Sequence, residues 1–242
     1  MTTVAKLVRT ELRLFLREPL VLTFVFVFPV ITVLVLIGSF DAQDDGFPVS
    51  PAHWYTAGYL AVVVAAIGLV MLPVHLAGYR ERGVLRRFAA SDFPRWSFAV
   101  AEFIVGLLVT ITAWASMLVV VGVLHGLPHV DAPVQTAGGL LVGAAAFISI
   151  GLLLGAVTPT ARSAQGIGLL LFFPVFLLGG GGPPPRAMGS VMRHISDLIP
   201  LTHVTRAIQH PWLGLGGSGA DLAIVAAIAV VCVAGWWKVV RL

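Results

Sequence analysis

Charge is scarce in this chain. Asp, Glu, Lys and Arg make up 11% of its 242 residues while 58% are hydrophobic, against roughly 25% charged in soluble domains. So little polar surface cannot cover a soluble core, which places the chain in a membrane. Cysteine occurs once, at Cys232 inside an apolar run, which excludes an intrachain disulfide and argues against thiolate metal ligation. Lysine is confined to Lys6 and Lys238 beside thirteen arginines, a bias that, with abundant Ala, Val and Gly, fits a GC-rich bacterial genome. The net charge of +4 would suggest nucleic acid in a soluble protein. No basic-aromatic motif accompanies it, so no nucleic-acid partner is expected, and in a membrane chain charge sorts by side.

Catalytic signatures are missing too. There is no G-x-x-x-x-G-K-[S/T] loop, so any ATP must be handled on another chain. Neither H-E-x-x-H nor G-x-S-x-G occurs, which leaves an intramembrane hydrolase without nucleophile or base. His125 and His129 stand four apart, but Gly126 and Pro128 between them favour a turn over a helical metal pair. No catalytic residue and no metal ligand is assigned. Acids at the centre of the apolar runs, which proton- or sodium-coupled transport usually needs, are absent.

What is present is a succession of apolar runs at residues 20–40, 54–77, 97–124, 134–157, 165–178 and 222–240, read as six membrane spans. The first is too long for a signal-peptide core and no small-residue cleavage site follows it. Pro29 and Pro174 imply kinks. Gly139, Gly143, Gly151 and Gly155 recur at multiples of four, a smooth face for close helix packing. Residues 1–19 precede the spans as an amphipathic helix, with Lys6, Arg9, Arg13 and Arg17 on one face and Val4, Leu7, Val8, Leu12 and Phe15 on the other, suited to the headgroup plane. Arg17-Glu18-Pro19 ends it. Glu11 projects from the apolar side, where an unpaired carboxylate is costly. It either meets a basic partner nearby, snorkels, or pairs within its own helix with Lys6 or Arg9.

Residues 78–96 form a charged island holding Arg80, Arg82, Arg86, Arg87 and Arg95. Leu85, Phe88 and Ala89 fall on one side at i, i+3 and i+4, flanked by Arg82, Arg86 and Arg87. That pattern suits a short helix inserted into a partner's groove; a solvated basic loop is the alternative. Glu102, one turn beyond, reads as a partner for an island arginine or as a snorkelling interfacial acid. Residues 179–221 open on four glycines and three prolines, which no helix survives, and continue as two short amphipathic helices. Assigning the segments alternately places twelve Lys and Arg inside and Arg186, Arg193 and Arg206 outside. This bias predicts both termini in the cytoplasm.

Three stretches resemble the permeases of type-2 ABC exporters: Thr10-Glu11-Leu12-Arg13-Leu14-Phe15-Leu16-Arg17-Glu18-Pro19 with Pro29 after it, Glu81-Arg82-Gly83-Val84-Leu85-Arg86-Arg87-Phe88, and Ile199-Pro200-Leu201-Thr202-His203. The resemblance covers nearly the whole chain. That family often has threonine where Val84 stands, a proline near Asp92 and a basic residue near Glu102, which are departures here.

The resemblance implies an all-α polytopic membrane protein with six transmembrane helices, an N-terminal amphipathic interfacial helix, a cytoplasmic coupling helix (78–96) and external re-entrant helices (179–221) before the last span. It implies an exporter in a bacterial plasma membrane, and the apolar candidates for lining its pathway, Trp114 and several Phe, fit an amphipathic drug, lipid or lipid-linked glycan without choosing between them. A separate P-loop ATPase would bind the ATP and magnesium, so this chain would carry no cofactor of its own. A second copy or a paralogous permease would complete the pathway within membrane lipid. Glu81, Arg82, Gly83, Leu85, Arg86 and Phe88 would receive the ATPase stroke. Glu11, Arg13 and Arg17 would join the first helix to that lever, and Pro200, Leu201 and Thr202 would belong to the external gate. A non-transporting immunity or anchoring subunit, or a secondary transporter, is the alternative.

Overall fold

A computed structural model describes residues 3–40, 47–84, 95–126, 129–184 and 188–240, and all regular structure among them is helical. Helix α1 is Thr3–Phe15. Helix α2 runs without interruption through Pro19–Leu22, Thr23–Val27 and Phe28–Ser39. There follow α3 (Pro51–Glu81), α4 (Arg95–His125), α5 (Pro133–Val157), α6 (Ala161–Gly179), α7 (Ser190–Asp197), α8 (Pro200–Trp212) and α9 (Gly219–Val240). Five of these helices, α3, α4, α5, α6 and α9, are long and apolar enough to cross a membrane. The apolar part of α2, Thr23–Ser39, is shorter. The protein is thus a multi-pass helical membrane protein.

Helix α3 is the axis of the bundle. Its apolar window is 89% buried, against 11% for α9 at the periphery, and α2, α4, α5, α6 and α8 all pack on it. Apolar side chains gain little by leaving lipid for protein, so such packing draws on close van der Waals contact and buried hydrogen bonds. Glycines supply the closeness. A Cβ on Gly68 would lie 2.3 Å from the Phe147 carbonyl oxygen, one on Gly151 2.6 Å from the Gly68 oxygen, and one on Gly168 2.2 Å from the Leu69 oxygen. Helices α5 and α6 therefore both touch α3 backbone to backbone at one level.

That level is where α3 loosens into a wide, π-type turn, Ile67–Met71, just ahead of Pro73. Helix α2 has the same arrangement, Thr23–Val27 ahead of Pro29. A proline ring clashes with the carbonyl four residues before it and offers no N–H. Widening the preceding turn accommodates both defects without breaking the helix. The kink expected at Pro29 therefore takes the form of a wide turn, while α6 continues through Pro174 as far as Gly179. Rings of Phe24 and Phe28 meet Phe172 at centroid separations of 4.9 and 5.7 Å, edge to face, and these contacts hold α2 against α6.

Helix α8 is too short to span, yet it is inserted among α3, α5, α6 and α9. Its neighbour α7 differs. Val191, Met192 and Leu198 leave an exposed apolar ridge there.

Candidate functional site

The island end of α3 gathers polar side chains from three helices. His75 and Tyr79, four residues apart, share one face of α3 and stack edge to face at 4.9 Å. Glu11, on the apolar side of α1, is buried beside Phe15. Its Oε2 lies 2.7 Å from His75 Nε2 and accepts the Tyr79 hydroxyl. Helix α4, which packs on α1, brings in Glu102, which is fully buried, with Oε1 3.9 Å from His75 Nε2. Neither Glu102 oxygen has a hydrogen-bond partner among the described residues.

The next residues of α3 reach the turn between α5 and α6. Arg80 donates to the Ala156 carbonyl in the last turn of α5, and Glu81 Oε2 accepts the backbone N–H of Ala161, the first residue of α6, at 3.1 Å. Each charge complements the helix end it meets, cation to C-terminus and carboxylate to N-terminus. Thr160 and Ser163 complete the start of α6 with a reciprocal capping box. Arg82 is exposed and closes α3, and Gly83, at φ +69°, takes the left-handed conformation that ends the helix. Leu85, Arg86 and Phe88, expected to insert into a partner, lie outside the described residues.

The glycine face of α5 divides between two neighbours. Added Cβ atoms would lie 2.2 Å from the Ala207 carbonyl oxygen at Gly139 and 2.6 Å from Val204 Cγ1 at Gly143, both on α8. At Gly151 and Gly155 they would meet Gly68 and Leu76 of α3.

Pro200 occupies the first turn of α8, where its missing N–H is harmless. Leu201 is buried against Gly179. Thr202 donates to the Ser196 carbonyl at 2.6 Å, and Ser196 donates to the Leu178 carbonyl at 2.7 Å. Thr205 and Tyr59 donate to the carbonyls of Gly179 and Gly181, at 2.6 and 2.9 Å. Gln209 Nε2 reaches the Trp54 carbonyl at 2.8 Å. The glycine run is therefore fastened to α3 and α8 by side-chain hydrogen bonds.

Several sequence expectations change here. Among the described residues the partners of Glu11 are His75 and Tyr79, neither Arg80 or Arg82 of the island nor a residue of its own helix, because the apolar face that carries Glu11 is turned toward α3 and α4; Arg86 and Arg87 lie outside the described residues. Arg13 and Arg17 are exposed and make no ion pair among the described residues. Glu102 is enclosed by the bundle rather than snorkelling, with His75 Nε2 3.9 Å from its Oε1. Trp114 is buried and donates its indole N–H to the Leu60 carbonyl at 2.8 Å. His75 and Tyr79 were missed, although an ionisable residue inside an apolar run is itself a signal for a polar partner.

The fold is that of a multi-pass helical membrane protein whose central helix ends in charged residues, Arg80, Glu81 and Arg82. The chain belongs to the ABC-2 type transporter family, whose description matches residues 2–211. Permeases of that family work with ATPase subunits. A search of curated proteins found no match.

Proposed function

We propose that this chain is the membrane subunit of an ATP-driven exporter, whose residues 78–96 receive the stroke of a separate P-loop ATPase that carries the ATP and magnesium. The observation that carries this reading is the fan of contacts at the end of α3. Tyr79 holds α1 through Glu11, Arg80 holds the end of α5, and Glu81 holds the start of α6. A displacement applied just beyond Gly83 reaches three helices within one turn of α3, and the wide turn at Ile67–Met71 provides a place for the central helix to flex.

In this reading α2 is the first of six spans, both termini are cytoplasmic in a bacterial plasma membrane, and α7 and α8 are external re-entrant helices. Pro200, Leu201 and Thr202 form the hinge of an outer gate. Peripheral α6 and α9 are available for a second copy or a paralogous permease. An apolar groove lined by Trp96, Phe103, Ser149, Val233 and Trp236 suits an amphipathic drug, lipid or lipid-linked glycan approaching from the bilayer.

The coupling role is tested by pull-down from native membranes. The parent chain is expected to recover a P-loop ATPase, and Leu85→Asp with Phe88→Asp to lose it while membrane insertion stays intact. Equal recovery by the variant would sink the role given to the island.

A further inference from the structure

The cluster at Glu11, His75 and Glu102 is more than a transmission joint requires. One donor atom from each of these residues lies within 4.8 Å of the others, and they come from three different helices. We propose that they form a binding site for a divalent first-row transition ion of the zinc class, clamping α1, α3 and α4 together beside the island. The proposal goes beyond the export reading and holds whatever the chain moves.

Charge is the first argument. Two buried carboxylates face one imidazole, and buried charges persist when they are paired or coordinate a metal. Glu11 is already engaged with two donors, His75 and Tyr79. Glu102 is engaged with none: both its oxygens are buried without a partner among the described residues, and one points toward His75 at 3.9 Å. A divalent cation between the carboxylates neutralises both and gives the Glu102 oxygens a partner.

Donor chemistry narrows the ion. Magnesium and calcium favour all-oxygen sites, whereas imidazole beside carboxylates suits zinc and the later first-row ions. In a tetrahedral site with bonds of about 2.0–2.1 Å, donors stand roughly 3.3 Å apart. The separations here, 2.7 Å from His75 to Glu11 and 3.9 Å from His75 to Glu102, bracket that value, so modest side-chain rotation closes the site. Tyr79 supplies the outer hydrogen bond that orients Glu11. The His75 side chain, 10% exposed, provides an access path.

The test uses full-length, tag-free protein in detergent micelles, stripped with a chelator and dialysed against Zn²⁺ or Co²⁺. Expected are about one Zn²⁺ per chain by elemental analysis and visible ligand-field bands with Co²⁺, as for a tetrahedral site. His75→Gln and Glu102→Gln should each weaken Zn²⁺ binding at least about tenfold, whereas His129→Gln, at an exposed histidine, should leave it unchanged. The parent's stoichiometry and Co²⁺ spectrum decide the matter even if a variant folds poorly. Absence of stoichiometric metal in the parent overturns the proposal, as does undiminished binding by a folded Glu102→Gln. If the parent binds no metal and Glu102→Gln melts no lower, the carboxyl holds a proton instead and the metal assignment is wrong.

Discussion

A side chain at Gly139 has nowhere to go. Its Cβ would lie 2.2 Å from the Ala207 carbonyl oxygen, a backbone atom that cannot rotate aside, whereas Gly138 has nothing within 4 Å of the same position. Alanine favours a helix over glycine by about 1 kcal/mol, but overpacking a tight contact costs about 1–3 kcal/mol. Gly139→Ala should therefore lower the unfolding midpoint in micelles and Gly138→Ala should hold or raise it. Equal midpoints for the two would mean that α5 and α8 do not meet as closely as described. The same logic separates glycines that merely recur from glycines that are needed, a distinction that spacing alone cannot make.

At the scale of elements, the connection between α6 and α7 depends on hydrogen bonds rather than on its own conformation. Thr205 and Tyr59 hold the carbonyls of Gly179 and Gly181, each bond contributing about 0.5–1.5 kcal/mol. Thr205→Val with Tyr59→Phe keeps shape and removes both donors. Amides of residues 179–182 should then exchange faster by hydrogen–deuterium mass spectrometry, with α3 and α5 unchanged; unaltered exchange would show that the segment is held some other way. The composition of 179–185 announced the break in the helix. Its attachment was not legible, because the partners lie 26 and 122 residues away.

For the whole molecule, the proposed crossing of the bilayer by α2 is accessible to experiment through the single cysteine. In a Cys232→Ala background, Ser50→Cys should react with an impermeant thiol reagent applied to intact cells, while Thr10→Cys and Lys238→Cys should be protected. Labelling of Ser50→Cys and Thr10→Cys from the same side would remove α2 from the spans and leave five crossings. The aromatic contacts of α2 with α6 and the continuity of its helix past Pro29 support the crossing.

By itself the sequence determined the environment and the outline of the chain. Scarce charge requires a membrane, apolar runs of sufficient length become helices because their backbone groups must be satisfied internally, and proline and glycine mark where helices start, widen or end. Even the exceptional position of Glu11 on an apolar face was readable, since helical periodicity is local. Only the tertiary structure decided which helix is central, that α8 lies inserted among its neighbours, and that Glu11 of α1, His75 and Tyr79 of α3, and Glu102 of α4 meet. Those pairings depend on packing between helices distant in sequence, where close approach of glycine backbones sets the distances and no local pattern records the partner.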